Sequence, residues 1–380
     1  MQNYSLKALS YTLERTQWGE ISPKENFSKI AILLDSNVTV VKYLRPLPDS
    51  ADPVKKPFGL ARRWVFGLGT DSTSYARRGF RGATDEMRAR LEQIGATFLR
   101  GYHAALEHGE TPELAARLDS EALELRGFVY EGAAMGLTLL DFLTPWNSRR
   151  LARFLAGPGE PHAYMLHVGA GWLWARLPLS PRLERFDPLL KWLGFDGWGF
   201  HEGFFHWQDY VAGRRHPKRL SGYARHAFDQ GLGRSFWFVN GGSPAWISQT
   251  LAQFPVERQP DLWSGLGLAA TYAGYVSPAA LSELQACAGP HRFHLAQGSA
   301  FAAKARQRAG NLTDYTDTAT RVLCGVSARD AARVPDSALE NLPGDGTEPA
   351  YELWRKRVRA HFEQLERPSQ RPVAISVGNA

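Results

Sequence analysis

The sequence is poor in cysteine and has no long apolar run. Only Cys287 and Cys324 occur in 380 residues, which is too few for a disulfide framework and lacks the paired spacing of a zinc knuckle. The longest apolar run near the start, Ile30–Leu34, is far too short to span a bilayer. No basic segment followed by an apolar stretch opens the chain, so no secretory signal is indicated. These features predict a cytoplasmic protein without a membrane span.

Motifs for nucleotide cofactors and common hydrolytic centres are also missing. The glycines of Gly197–Gly203 have the wrong spacing for a dinucleotide site, and no segment matches a P-loop. Proline follows Ser243, so this serine predicts a helix cap and not a nucleophile elbow. His201 and His206 are five residues apart, about 140° around a helix, whereas a zinc protease needs a spacing of four.

Charge of one sign is concentrated only in short basic clusters, such as Arg77–Arg81. The net charge of +7 comes from 45 basic and 38 acidic residues that are mostly spread out, so it indicates a solvated basic surface. An anionic partner, such as a carrier protein or a phosphate, is the alternative. Nothing in this distribution predicts nucleic-acid binding. Aromatic residues are abundant instead, with 12 Trp and 20 Phe.

The chain divides into three parts by composition. Residues 1–56 form an N-terminal extension, in which two β-branched runs within 29–44 predict a small β-hairpin, and 46–53 read as a linker. Residues 57–366 predict a helical-repeat domain, and 367–380 a disordered tail. The spacing of apolar residues predicts a helix over 85–106.

Six glycines mark a repeat through the middle of the chain. They are Gly132, Gly169, Gly203, Gly231, Gly265 and Gly298, separated by 37, 34, 28, 34 and 33 residues. A break and a second amphipathic helix follow most markers; one such helix is predicted over 182–193, and Ser-Pro pairs cap others at Ser243 and Ser277. Two helices per repeat of this length predict an all-α fold, an αα-hairpin repeat superhelix of about six repeats.

Glycine inside a helix is unfavourable by about 1 kcal/mol relative to alanine, so the markers need a compensating cause. We expect close backbone approach of neighbouring helices. Small residues two positions after most markers support this, whereas Phe205 breaks the rule and predicts looser packing in the third repeat. On this basis Gly265→Leu should be destabilising, and Gly265→Ala should be mild or stabilising.

Positions just before the markers would share one concave surface. Carboxylates and imidazoles there have the types needed for a carboxylate–histidine iron site or for general acid/base catalysis; these candidate catalytic residues are Glu131, His167, His201, Glu202 and Asp229. Aromatic and polar neighbours are candidates for substrate binding; they are Tyr130, Trp172, Phe205, Gln230, Arg234, Trp263 and Gln297. The alternative is that such residues cap neighbouring helices and satisfy buried backbone groups.

Several of these segments, in order, carry a resemblance to a known family. The strings are 126–136, 167–172, 196–203, 229–235 and 261–269, with Tyr75–Phe80 as an early landmark. The chain resembles the UnbL-type enediyne biosynthesis proteins from roughly Pro57 to Phe362. Residues 1–56 depart from the family pattern, and the resemblance implies no catalytic residues.

The resemblance implies a role in maturing a linear polyketide polyene into an enediyne core, as an enzyme or an essential accessory. Partners would be the polyene and the enediyne polyketide synthase or companion proteins. Making alkynes from alkenes requires an oxidant, and with no nucleotide-cofactor motif a metal such as iron, molecular oxygen or a partner redox protein would supply it. The alternative is a non-catalytic helical-repeat scaffold that binds the polyene or a protein.

Overall fold

The computed structural model describes residues 57–177 and 181–366. The predicted hairpin and linker of 1–56 and the predicted tail of 367–380 lie outside these residues. The chain divides into two units, residues 1–67 and 68–380. In the first unit the described part is helix α1, Pro57–Phe66.

The described part of the second unit is all-α and contains no strand. Its helices are α2 (Tyr75–Arg78), α3 (Asp85–His108), α4 (Pro112–Asp119), α5 (Arg126–Leu143), α6 (Arg150–Leu155), α7 (Ala163–Arg176), α8 (Trp192–Phe205), α9 (Tyr223–Val239), α10 (Pro244–Leu251), α11 (Gln259–Tyr272), α12 (Pro278–Ala288), α13 (Arg292–Arg308), α14 (Asp314–Leu323), α15 (Ala328–Ser337) and α16 (Ala350–Glu366). Among the described residues, no helix is both long enough and apolar enough to cross a membrane.

Seven long helices form one continuous row. Each contacts the next in the order α3, α5, α7, α8, α9, α11 and α13. Several of them are buried almost all round; in α8, for example, every residue from Leu193 to Phe204 is buried. The shorter helices α10, α12 and α14 contact one another in a second row, while α14, α15 and α16 pack on α13.

Glycines bring the helices of the row into backbone contact. A Cβ on any of eleven of them would lie only 1.7–2.1 Å from a backbone oxygen of the adjacent helix. These are Gly101, Gly132, Gly169, Gly171, Gly197, Gly199, Gly231, Gly233, Gly265, Gly267 and Gly298. Most helix pairs use one glycine from each partner, such as Gly233 on α9 and Gly265 on α11. The predicted close approach at the markers is confirmed for five of the six.

The prediction was wrong for the remaining marker, Gly203, because α8 contacts its neighbours through Gly197 and Gly199. A Cβ on Gly197 would reach the backbone oxygen of Val168 on α7, and one on Gly199 that of Phe228 on α9. Gly203 faces the Ser235 side chain instead. The looser packing predicted from Phe205 is therefore absent, since Phe205 does not lie at a contact position.

The helix predicted over 182–193 does not form. A short 3₁₀ turn, Leu183–Arg185, takes its place, and α8 begins at Trp192. Pro188 disfavours helical backbone at Asp187, whose carboxylate accepts hydrogen bonds from the backbone N–H groups of Leu189 and Leu190 at 2.9 Å each. Because no α-helix forms in the described residues between them, α7 and α8 are adjacent both in sequence and in space.

The other helix starts follow the sequence closely. Helix α3 begins at Asp85 as predicted, after Thr84, whose side chain accepts a hydrogen bond from the backbone N–H of Met87. Ser277 caps α12 in the same way. Helix α10 begins at Pro244, although Ser243 makes no side-chain cap hydrogen bond.

Candidate functional site

The inner faces of the row enclose a cavity walled mainly by aromatic rings. Helices α3, α5, α7, α8, α9 and α11 all contribute to it, and its aromatic lining is Phe98, Phe128, Trp172, Phe200, Phe204, Phe205, Phe238 and Tyr272. The empty space between the lining residues is about 640 Å³, and this figure includes space open to solvent. Glu131 and Arg234 are the charged side chains that line it.

Arg234 is held between two carboxylates. It forms a buried ion pair with Asp196 of α8, and its guanidinium nitrogen lies 3.6 Å from the carboxylate of Glu131 on α5. The indole N–H of Trp172 donates to the same Glu131 oxygen at 2.9 Å. The guanidinium also lies 4.9 Å from the centre of the Phe200 ring, a cation–π contact. A short polar cluster is thus fixed against an otherwise apolar wall.

Burial controls the protonation of this cluster. It raises the pKa of Glu131 to about 7, against the opposing effects of Arg234 and the Trp172 hydrogen bond. Burial also disfavours the charged form of Arg234, but the negative charges of Asp196 and Glu131 outweigh it and raise the pKa of the guanidinium above its usual value. Glu131 therefore titrates in the range where a carboxyl group both donates and accepts protons near neutral pH.

A pH-dependent stability follows from Glu131. The fold raises its pKa from 4.5 to about 7, so the proton is held more tightly in the folded chain. Its contribution to stability is present below pH 4.5 and is lost as the pH rises through 7. We expect the free energy of unfolding of wild type, relative to Glu131→Gln, to fall by about 3 kcal/mol over that range. Urea unfolding of both proteins at pH 4.5 and pH 8 measures this.

Glu352 is the control with the opposite sign. Burial acts to raise its pKa, but Arg355 and Arg359 hold the pKa below its usual value. Its contribution is therefore present above the unfolded pKa and is lost as the pH falls, so wild type should gain stability relative to Glu352→Gln as the pH rises. If Glu131→Gln behaves like Glu352→Gln, Glu131 is not held neutral by the fold.

A second cavity lies on the other side of Arg234. Arg234, Leu268 and Tyr272 line both cavities, and Tyr351 and Trp354 of α16 line only the second. Its volume, again including open space, is about 460 Å³.

A chain of hydrogen bonds follows the residues that precede the contact glycines. Gln230 donates to Asp196 at 2.8 Å, Ser264 to Gln230 at 3.4 Å, and Gln297 to Ser264 at 2.9 Å. Arg359 of α16 then donates to Gln297 at 2.7 Å. Polar side chains of successive helices thus satisfy one another inside the protein, as buried polar groups require.

The predicted site residues lie at several different places in the structure. Glu131, Trp172, Phe205 and Arg234 line the first cavity, and Gln230 lines the second. Four others are buried outside both linings and have local partners. Tyr130 donates a hydrogen bond to Asp119, and His167 Nδ1 lies 2.7 Å from the carbonyl oxygen of Ala163. Asp229 pairs with Arg258 and His216, and Gln297 belongs to the hydrogen-bonded series that starts at Asp196. Trp263 is buried and lines neither cavity.

His201 and Glu202 lie together at the end of α8, where His206 joins them. His206 Nδ1 lies 2.6 Å from Glu202 Oε2, and His201 Nδ1 lies 3.9 Å from the same oxygen. The helix ends at Phe205, and the non-helical backbone of His206 (φ −127°, ψ 39°) turns its ring back towards Glu202. The five-residue spacing that excludes a regular zinc-protease helix therefore still permits a cluster here.

Comparison with known proteins places the chain in a family. Residues 57–362 match the family described as "Protein of unknown function (DUF1702)". The chain belongs to the DUF1702 family. No curated protein and no solved structure matches it.

Asp196 is one of the site residues of this DUF1702 chain that the sequence did not indicate; His206 and six of the aromatic residues that line the first cavity are the others. Asp196 is fully buried and joins Arg234 to Gln230. Taking Gly203 as the marker of α8 placed Glu202 in the position before the glycine. With the observed contact at Gly197, that position belongs to Asp196. The signal was present, because Gly197 and Gly199 repeat the spacing of Gly231 and Gly233.

Proposed function

We propose that this DUF1702 protein binds an extended unsaturated chain and acts in enediyne biosynthesis, as an enzyme or essential accessory that matures a polyketide polyene into the enediyne core. The aromatic cavity is the observation that supports the proposal most directly. Aromatic faces and edges pack favourably against a flat conjugated chain. The ordered sequence resemblance to UnbL-type proteins supplies the biosynthetic context.

The polar cluster supports a catalytic role within that proposal. Glu131 faces the cavity with a pKa of about 7, and Arg234 beside it remains charged. Such a pair can hold or move a proton at a carbon or oxygen of a bound chain. Oxidation would still need a separate oxidant, so iron, molecular oxygen or a partner redox protein remains part of the proposal.

A non-catalytic scaffold is the second candidate, and the pairing of the buried polar groups favours it. Glu131, Asp196 and Asp229 all engage arginines, which is also what buried junctions between helices require. The scaffold would shelter the polyene or dock the polyketide synthase. Product formation in cells that carry Glu131→Gln separates the two: a catalyst loses the product, whereas a scaffold keeps it.

Ligand binding can be tested directly. We expect a synthetic linear polyene to quench tryptophan fluorescence saturably, because Trp172 lines the cavity, and a saturated alkane of equal length to bind more weakly. Ala269→Trp places an indole ring in the cavity and should weaken polyene binding by about tenfold or more. Ala252→Trp, at an exposed position, is the matched control and should leave binding unchanged. Equal binding to both tryptophan variants would contradict the proposal.

The proposal also covers the architecture of the protein, its location in the cell and its partners. We propose that the row of helices is an αα-hairpin repeat superhelix of about six repeats, supported by the recurring glycine contacts. We also propose a cytoplasmic location and a partnership with the enediyne polyketide synthase or companion proteins. Co-purification with the synthase would test the last point.

A further inference from the structure

The cluster at the end of α8 has the composition of a metal site. His201 and Glu202 are buried, His206 is half-exposed, and one donor atom from each lies within 4.8 Å of the others. Imidazole and carboxylate ligands bind first-row metals at about 2.0–2.2 Å, so ligands of one ion lie roughly 3–4.4 Å apart. The separation of 3.9 Å between His201 Nδ1 and Glu202 Oε2 falls in that range. The pair at 2.6 Å needs only a small opening to admit an ion.

We propose that His201, Glu202 and His206 bind one divalent first-row transition ion through two imidazole nitrogens and one carboxylate oxygen. Two histidines and one carboxylate are the ligand set of non-haem iron(II) sites, which keep further positions open. This proposal does not depend on the polyene-binding proposal. It replaces the five-residue iron set expected from sequence, since the other three members lie elsewhere and His206 joins the site.

Two further observations point to a ligand at this place. His201 Nδ1 is buried and has no hydrogen-bond partner in the protein. Buried polar groups are normally satisfied by another protein group, by water or by an ion. The Trp198 indole N–H donates to Glu202 Oε1 at 3.2 Å. This bond orients the carboxylate and leaves Oε2 directed at both histidines, the supporting role that outer residues play around metals.

The site has a route to solvent and a common wall with the first cavity. The His206 side chain is 28% exposed, so an ion can enter on that side. The His201 ring lies 4.9 Å from the Phe205 ring and 5.8 Å from the Trp172 ring, between ring centres. Both of those rings line the cavity. A bound ion would therefore lie just behind the cavity wall.

Arg176 competes with the metal. Its Nε–H donates to His201 Nε2 at 3.0 Å, which leaves the hydrogen of a neutral ring on Nδ1. A metal bound at Nδ1 moves that hydrogen to Nε2, so Arg176 must give up this bond when the ion binds. Arg176 also brings a positive charge near the ion. Removing the arginine should therefore tighten metal binding, an effect that a purely structural His–Glu pair would not produce.

Cobalt(II) titration of the full chain, purified without a histidine tag and treated with a chelator, tests the proposal. We expect one equivalent of Co²⁺ to bind and to give the visible spectrum of a nitrogen- and oxygen-ligated ion. Glu202→Gln and His206→Gln should weaken binding at least about a hundredfold, since losing even an outer-shell partner costs 10–100-fold. Arg176→Gln should strengthen it.

His216→Gln is the matched control. His216 pairs with Asp229 at 2.9 Å and is 22% exposed, so it is a similar histidine–carboxylate pair without a second histidine; the variant should bind Co²⁺ like wild type. Circular dichroism verifies that each variant folds. A wild-type spectrum identical to that of aqueous Co²⁺, or unchanged binding in His206→Gln, overturns the proposal. The titration contains no polyene, and the polyene titration is run with chelator, so either proposal can fail alone.

Discussion

Gly265→Ala is expected to lower the free energy of unfolding by at least about 3 kcal/mol, the upper end of the range for overpacked interiors. Helix propensity alone gives the opposite sign, because alanine is the better helix former by about 1 kcal/mol. The added Cβ would lie 1.7 Å from the backbone oxygen of Gln230 and 2.9 Å from the backbone nitrogen of Arg234. Backbone cannot rotate away as a side chain can, so α9 and α11 must move apart.

Urea unfolding of Gly265→Ala and Gly344→Ala measures this effect. Nothing lies within 4 Å of a Cβ on Gly344, so the same chemical change there should be close to neutral. Gly265→Leu should be still less stable than Gly265→Ala. If Gly265→Ala is as stable as wild type, α9 and α11 do not meet backbone to backbone, and the assignment of the row loses its basis.

Arg234→Met is expected to destabilise the fold by about 3–5 kcal/mol. Arg234 is the cation shared by the buried carboxylates of Asp196 and Glu131, and breaking a buried ion pair from one side leaves uncompensated charge in the interior. The methionine fills most of the space, so the loss reflects electrostatics more than a cavity. Chemical unfolding at pH 8, where Glu131 is largely ionised, should show the largest effect.

Adding Asp196→Asn to Arg234→Met should restore part of the lost stability, because it removes the stranded charge. The control is Arg333→Met, which breaks an ion pair with Asp330 whose side chains are 72% and 57% exposed; exposed pairs contribute about 0–1 kcal/mol. A double variant no more stable than Arg234→Met would show that the arginine acts through packing and not through charge.

Features set by neighbouring residues were predictable from sequence, and features set by packing were not. The start of α3 at Asp85 and the cap at Ser277 depend on residues within one turn, so the sequence predicted both. Helix α8 carries Gly197, Gly199 and Gly203, and more than one of them fits the repeat spacing. Only the packing of α8 against α7 and α9 decides which of these glycines contact a neighbouring backbone. The same limit explains why the expected effect of Gly265→Ala on stability changes sign between sequence and structure, since sequence shows a glycine but not the distance to its neighbour.

The same distinction applies to the candidate site, where the sequence indicated some residues but not the contacts between them. Residue types at repeat positions indicated Glu131 and Arg234, but not that Arg234 would reach Asp196, 38 residues earlier in the chain. His206 was set aside because a regular helix separates it from His201 by about 140°. The helix ends one residue before His206, and the two rings lie 5.8 Å apart between their centres.

The backbone contacts of the row also have a genetic consequence. Glycine is the only amino acid without a Cβ, so every missense change in one of those eleven codons inserts an atom into a neighbouring backbone. Inward-facing positions such as Phe98 or Leu268 carry no such restriction, since volume-conserving apolar exchanges there usually cost less than about 1.5 kcal/mol. Mutation can therefore change the shape of the cavity while the backbone contacts of the row stay the same. Among natural variants of this gene, the residues that line the cavity should therefore vary more than the eleven contact glycines.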